Sequence, residues 1–139
     1  MFRHILIPTD LTEKSLKAVE IALKMAVGES CRVTLLHVIE TIDDSEEDEF
    51  HDFYKKLHKR AMRIMDRISG LFPDAGSIIF KEICYGKRVR EIVRFADEKE
   101  VDLIVLSSHR INLENPVQGW GSISYKVSIL SDCPVMLIK

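Results

Sequence analysis

The residues best suited to chemistry in this chain lie in one stretch, SSHRINLENPVQGWGS, which runs from Ser107 to Ser122. The stretch follows an apolar segment, DLIVL, and ends where a helical pattern begins. Glycines and serines at its exit are typical of a loop whose backbone amides bind phosphate. His109 stands where an anion could be held, and Arg110 follows it. The stretch therefore indicates a nucleotide site, in a standard or altered form, or only a connecting loop.

A second candidate is Asp10, which directly follows the apolar run ILIP and Thr9. Pro8 fixes the turn there, and Thr9 supplies a hydroxyl. A carboxylate at this position could accept a hydrogen bond from a base or a ribose, or help to hold a metal. Alternatively, Asp10 forms an Asx turn at the start of the next helix. The sequence leaves both roles open.

The histidines and the known catalytic motifs give no support to an enzyme. His37 lies late in an apolar segment, where a histidine is expected to be a packing residue, and no nucleophile can be assigned to it. The sequence contains no HxH or HxxxH pair, so no metal is predicted. It also lacks the GxxxxGK[ST], GxGxxG and GxSxG motifs. We therefore expect a protein without catalytic residues.

Composition points to a single globular domain over residues 1–139. The net charge of -2 gives no reason to expect nucleic acid or an anionic membrane as a partner, and no segment is apolar enough to span a membrane. These features predict a cytoplasmic protein. Cys31, Cys84 and Cys133 have no metal-like spacing, so we expect buried, reduced thiols.

Hydrophobic periodicity predicts a β-α-β-α-β-α-β-α-β order. The predicted strands are residues 4–10, 31–40, 77–86, 101–108 and 134–139; the predicted helices are residues 12–27, 50–71, 88–100 and 122–133. Strands that alternate with helices pair in parallel through right-handed crossovers, in a sheet covered on both faces. Ligands bind such sheets at the carboxyl ends of the strands. The fold class is therefore α/β, and the candidate residues above fall at that edge.

Details of the helices follow from the same pattern. Thr12 or Ser15 is expected to cap the first helix, and Gly28 to end it. An acidic run, residues 43–49, precedes the second helix and is expected to be its solvated start. The apolar stripes predicted to face the core are Phe50, Phe53, Leu57, Ala61, Ile64, Ile68 and Leu71 in the second helix, Val89, Ile92, Val93 and Ala96 in the third, and Ile123, Val127 and Leu130 in the last.

Taken together, several segments resemble the universal stress protein family, in order and over essentially the whole chain. They are ILIPTD, SLKAVEIAL, LLHV, YGKRVREIV, DLIVLSSHR, GSISYKV and CPVMLIK. The resemblance implies a Rossmann-like, doubly wound sheet of five parallel strands in the order 3-2-1-4-5, with two helices on each face. It also implies a homodimer joined through the last strand, here Pro134, Val135, Met136, Leu137 and Ile138.

ATP-binding members of that family carry a G-x2-G-x9-G-[ST] motif, and this chain departs from it. Ser107 and Arg110 occupy the first two glycine positions, and ten residues instead of nine separate Arg110 from Gly121. Arg110 could bind phosphate bidentately, or fill the pocket by pairing with Asp10 or Glu114. The resemblance assigns Asp10, Val38 and Leu106 to the base and ribose. The predicted nucleotide site as a whole comprises Pro8, Thr9, Asp10, Val38, Leu106, Ser107, Ser108, His109, Arg110, Gly121, Ser122 and Ile123.

Two functions are compatible with this pattern. The first is a regulatory protein that binds ATP or another adenine nucleotide at an altered site. The second is a dimeric interaction module that binds no ATP and acts through protein partners.

Overall fold

The computed structural model describes residues 1–26, 30–42, 50–108, 114 and 122–139. The elements within them are β1 (His4–Pro8), α1 (Lys14–Met25), β2 (Arg32–Ile39), α2 (His51–Gly70), a short 3-10 turn (Pro73–Ala75), β3 (Ile79–Tyr85), α3 (Arg88–Glu98), β4 (Leu103–Ser107), α4 (Ile123–Leu130) and β5 (Val135–Ile138). The predicted alternation of strands and helices is confirmed.

The five strands form one parallel sheet in the order β3-β2-β1-β4-β5, as predicted. The central strand β1 is buried along its whole length. Ile5 of β1 is in register with Val33 of β2 on one side and with Leu103 of β4 on the other. The near-continuous apolar sequence of β1 follows from this position, because helices cover both faces of a parallel sheet. The fold is the doubly wound, Rossmann-like α/β class.

Successive strand residues point to opposite faces and build two separate cores. The core beneath α1 and α2 contains Ile5, Ile7, Ala18, Val19, Ala22, Cys31, Val33, Leu35, Met65, Ile68, Ile79, Leu103 and Val105. The core beneath α3 and α4 contains Leu6, Leu36, Val38, Ile92, Phe95, Ala96, Val101, Ile104, Leu106 and Val127.

The predicted apolar stripes were wrong at the ends of helices. Phe53 and Leu71, near the two ends of α2, are 51% and 59% exposed, and Leu130 at the end of α4 is 58% exposed. A 20-residue helix is about 30 Å long, which is longer than the strands it covers. The ends of α2 therefore extend past the sheet, and Met65, in the second half of the helix, is buried instead.

The stripe of α3 was wrong in a different way. Ile92 and Ala96 are buried as predicted, but Phe95 and Glu91 are buried with them, and Glu91 pairs with Arg94. Val89 is half-buried and packs against the core beneath α3 and α4 as predicted, whereas Val93 is half-buried and does not pack against it. The exposed side of α3 therefore keeps apolar surface.

The predicted caps of α1 were also wrong. Glu13 precedes the helix and makes no side-chain cap. The Ser15 hydroxyl bonds instead to Thr9, and the Thr12 hydroxyl donates to Asp10. The predicted end at Gly28 and the acidic run 43–49 lie outside the described residues.

All three cysteines are free thiols, but only Cys31 is buried as predicted, whereas Cys84 and Cys133 are half-buried. Burial raises the pKa of each thiol above its usual value. Within the described ranges, no helix is long and apolar enough to cross a membrane.

Candidate functional site

A cavity of about 550 Å³ lies at the carboxyl ends of β1 and β4. In the sheet, β2 and β4 are the two neighbours of β1, one on each side, so the strand order reverses at β1. The cavity lies at this switch point, where such sheets bind ligands. Its volume falls within the range of about 300–1,000 Å³ that is usual for small-molecule sites. Eight predicted site residues line it: Pro8, Thr9, Asp10, Val38, Leu106, Ser107, Ser122 and Ile123.

One side of the cavity is an apolar slot. Its walls are formed by Pro8 of β1, Leu36 and Val38 of β2, Ile92 of α3 and Leu106 of β4. The strand residues belong to positions that are nearly or fully buried, so packing fixes their side chains. This slot can hold a flat apolar group.

The opposite side of the cavity is polar and is formed by the start of α4. The Ser122 hydroxyl accepts a hydrogen bond from the Tyr125 amide (3.2 Å), which makes Ser122 the N-cap. The buried Ser124 hydroxyl is 3.2 Å from the hydroxyls of both Ser108 and Ser122. Amide groups at a helix N-terminus and nearby hydroxyls are donors for an anion. Ser108 thus lies behind the lining and supports it.

Asp10 adopts the Asx turn that its sequence position allowed. Its Oδ1 accepts hydrogen bonds from the Thr12 amide (3.0 Å) and the Thr12 hydroxyl (2.6 Å). Burial alone would raise the pKa of the Asp10 carboxyl, but these bonds and the charge of Lys14 lower it below the usual value. Asp10 also lines the cavity. The Asx turn is therefore confirmed, while a role of Asp10 toward a base or ribose stays a prediction.

Thr9 holds the same turn from within. Its hydroxyl accepts from the Leu11 amide (3.0 Å) and lies 2.5 Å from the Ser15 hydroxyl. Leu11 has a φ of 69°, a left-handed conformation that is unfavourable for a residue with a side chain. Such strain occurs at functional sites because the surrounding contacts hold it in place.

Ser107, in a glycine position of the family motif, is accommodated without backbone strain. In the described chain, the non-glycine residues with positive φ are Leu11 and Glu100, so Ser107 is not left-handed. Its hydroxyl donates to the Lys14 carbonyl (3.0 Å) at the start of α1. The serine therefore joins β4 to α1 at the cavity wall.

Arg88, the first residue of α3, lines the cavity and was missed by the sequence analysis. Its Nε lies 3.8 Å from Oε1 of Glu40. A basic residue at a helix N-terminus opposes the helix dipole. Lys87 and Arg88 at the start of α3 were thus a signal in the sequence that could have identified this wall. The other lining residues that were missed are Ser15, Leu36, Ile92 and Ser124.

His37 supports the site without facing a nucleophile. Its Nδ1 donates to the Thr9 carbonyl (2.9 Å), which confirms the predicted packing role. Burial lowers the pKa of His37; the Thr9 carbonyl raises it, and the charge of Arg88 lowers it further. The lowered pKa favours the neutral ring, which supports the turn at Thr9 through this hydrogen bond.

Three predicted site residues, His109, Arg110 and Gly121, lie outside the described residues. In the part of the chain that the structure describes, no three His, Cys, Asp or Glu side chains are grouped as metal ligands would be. The described geometry thus provides an apolar slot, a polar helix end, one carboxylate and one guanidinium. This arrangement can bind a ligand with a flat base and an anionic group.

Comparison with known proteins agrees with this geometry. The model of the universal stress protein family matches residues 1–139. The universal stress protein MJ0577 of Methanocaldococcus jannaschii is 29% identical over 161 residues, covering 100% of this chain and 96% of the relative. The solved structure of MJ0577 has a TM-score of 0.79 to this chain, at the same identity and coverage.

Two further solved structures share the fold and are complexes with nucleotides. A universal stress protein in complex with cAMP has a TM-score of 0.67 at 21% identity, covering 99% of this chain and 97% of that one. The universal stress protein from Archaeoglobus fulgidus in complex with dAMP has a TM-score of 0.68 at 18% identity, covering 97% and 96%. Because the family model spans all 139 residues and the sheet order agrees with it, the chain belongs to the universal stress protein family.

Proposed function

We propose that this protein is a regulatory protein that binds an adenine nucleotide in the cavity at the carboxyl ends of β1 and β4. The observation that carries the proposal is the pairing of an apolar slot with the hydroxyl-rich N-terminus of α4 in one cavity. A base fits the slot, and a phosphate fits the amides and hydroxyls at the helix end. The bound cAMP and dAMP of the two related structures support a nucleotide as the ligand class.

The central test is calorimetric titration of the purified protein with AMP, cAMP, ADP and ATP, with GTP as the base control. We expect saturable binding of at least one adenine nucleotide and weaker binding of GTP. The absence of saturable binding up to millimolar concentrations of every adenine nucleotide would contradict the proposal. The role of Arg110 toward phosphate stays a prediction from the sequence.

Arg88 allows a sharper test with a matched control. Arg88→Ala removes a guanidinium that lines the cavity, and we expect binding to weaken by at least about tenfold, because a hydrogen bond to a charged group contributes roughly 1.5–3 kcal/mol. Arg90→Ala removes the same charge from the same turn of α3 but lies outside the cavity lining. Equal effects of the two substitutions would mean that Arg88 acts only through long-range charge.

We propose that binding is not followed by catalysis. His37 is bonded to the Thr9 carbonyl, and the Ser122 and Ser124 hydroxyls are bonded within the site, so none of these contacts activates a nucleophile. Prolonged incubation with bound ATP should leave the nucleotide intact by chromatography. Turnover that is lost on substitution of a lining residue would show an enzyme instead.

We also propose a homodimer joined through the last strand. β5 pairs with β4 on one side, and its other edge carries backbone groups suited to pairing with a second strand. The segment is Pro134, Val135, Met136, Leu137 and Ile138, and the four residues of β5 within it are half-buried. The interaction-module function, which acts through protein partners, and the cytoplasmic location stay predictions.

A further inference from the structure

A second concave surface lies on another side of α3 from the nucleotide cavity and shares no lining residue with it. It runs between α3 and the end of α4 and encloses about 1050 Å³. Its apolar walls include Val89 and Val93 of α3 and Leu130 and Cys133 at the end of α4; we call it the α3 groove. Leu130 is 58% exposed, so the groove presents apolar surface to solvent.

The charges beside the α3 groove are divided between its two ends. Lys87 and Arg90 line it at the start of α3, whereas Asp97 and Glu100 line it at the other end. Two further charged residues line the groove: Arg94, which pairs with Glu91 and Glu98 of its own helix, and Asp132, which follows α4. Within the described part of the chain, the ion pairs of the structure involve none of the four side chains at the two ends. Their charges are therefore available to a binding partner.

The spacing of these charges is symmetric about the middle of α3. Arg90 and Asp97 lie on the same face of α3, two turns apart, because seven residues make close to two turns. Lys87 and Glu100 lie outside them, each three residues further along the chain. Reversal of the segment about the point between Val93 and Arg94 would place Arg90 opposite Asp97, and Lys87 opposite Glu100.

We propose that the α3 groove binds the α3 groove of a second copy of this chain, in an antiparallel arrangement about a twofold axis near Val93. Twofold contacts bring together identical patches, which must be self-complementary. Arg90 then faces Asp97 of the second copy, and Lys87 faces Glu100 of the second copy; each pair forms twice. This interface is separate from the β5 edge and adds to the proposed homodimer.

The apolar walls and the charges contribute differently to this contact. Exposed ion pairs add little to affinity individually, so the burial of Val89, Val93 and Leu130 must supply most of it. The charges set the orientation, because a parallel arrangement would place like charges opposite each other. A partner of uniform charge would meet repulsion at one end of the groove, which favours a second copy as the occupant.

A charge exchange tests the proposal with the full-length protein. One variant carries Lys87→Glu and Arg90→Glu, and the other carries Asp97→Lys and Glu100→Lys. Each variant alone would place like charges at all four contacts. In a mixture of the two, every contact is again between opposite charges. Sedimentation equilibrium in low and high salt measures the association of the wild type, each variant and the mixture.

We expect the wild type to show reversible, concentration-dependent growth in mass that weakens with salt. Each variant alone should associate at least about tenfold more weakly, and the equimolar mixture should recover to within about threefold of the wild type. Recovery in the mixture also demonstrates that both variants are folded.

Three results would overturn the proposal. They are association of each single variant at wild-type strength, a mixture that associates no better than its components, and a wild type without growth in mass at high concentration. None of the four substitutions lies in β5, so association through the β5 edge would be equal in all samples and would not mimic the recovery.

Discussion

At the scale of a single residue, Asp10 both stabilises a turn and lines the cavity. One carboxylate oxygen is bonded to Thr12 and holds the turn after β1, while the side chain also lines the cavity at the carboxyl ends of β1 and β4. The lowered pKa of this carboxyl keeps it charged at neutral pH. A ligand thus meets a fixed negative charge on one side and the Arg88 guanidinium from another wall.

His4 is a second residue whose environment determines its charge. Its Nδ1 donates to the Lys99 carbonyl (3.1 Å), so Nε2 of the neutral ring accepts from the Thr34 hydroxyl (2.7 Å). The side chain is buried at the start of β1. Burial lowers the pKa of His4 below 6.5, although the Lys99 carbonyl and Asp102 act in the opposite direction.

The pH dependence of folding tests two histidines, the buried His4 and the half-buried His37. The pKa values of His4 and His37 are both lowered, so below pH 6.5 the unfolded chain takes up protons that the folded chain does not. Stability is full above pH 6.5 and is lost on acidification, by up to about 1.4 kcal/mol per pH unit for each histidine. Urea unfolding from pH 7.5 to 5.5 measures this slope.

The control is removal of the titrating rings. His4→Gln and His37→Gln should each make the slope shallower, and the double variant should be shallowest. A double variant with the slope of the wild type would assign the pH dependence to other groups.

At the scale of an element, the end of α3 has an unusual residue. The Glu100 amide bonds to the Asp97 carbonyl (3.3 Å), and the Val101 amide bonds to the Ala96 carbonyl (2.9 Å), which is a Schellman ending. Glu100 has a φ of 53°, a position that glycine usually occupies. The helix therefore ends at a strained residue.

Replacing that residue should stabilise the fold. We expect Glu100→Gly to raise the free energy of unfolding by about 1 kcal/mol, because the left-handed conformation costs a residue with Cβ roughly 1–2 kcal/mol. Glu98→Gly, inside the last turn of α3, should lower it by about 0.5–1 kcal/mol. Urea unfolding at low protein concentration compares the two, and equal signs would contradict this explanation.

The sequence predicted the order of strands and helices correctly. It did not predict which residues at the ends of helices are exposed or which line the cavity, because these depend on how the elements pack together. Apolar runs identified every strand, since burial on both faces leaves a one-dimensional trace in β1 and β2. The sequence pattern does not show how far α2 extends past the sheet. Phe53 and Leu71 were therefore wrongly predicted to face the core. Arg88 was missed as a cavity wall although the start of α3 was predicted correctly, because only the folded chain shows that this start lies beside the ends of β1 and β4.

At the scale of the whole molecule, the open edge of β5 governs the proposed homodimer. The Pro134 carbonyl accepts from the Ile104 amide, and the Ile138 carbonyl accepts from the Ser108 amide. Even-numbered residues of this segment therefore bond to β4, and the backbone groups of Val135 and Leu137 point to the open edge.

A proline scan separates the two sides of β5. Leu137→Pro removes an outward amide, so we expect loss of the dimer with the fold retained. Met136→Pro is the matched control: it removes an amide that faces β4 and should lower the melting temperature more strongly. Sedimentation velocity and thermal unfolding measure the two effects. A Leu137→Pro protein that remains dimeric would exclude pairing through this edge.

The Thr9 amide bonds to the Leu36 carbonyl (2.8 Å), so the ladder between β1 and β2 continues one residue into the cavity. This part of the wall is ordered by the sheet itself when the chain folds, before any ligand arrives. Binding against it requires little loss of conformational entropy, and preorganisation of this kind favours affinity for small, rigid ligands. The nucleotide that we propose as the ligand would therefore meet a wall that does not need to move.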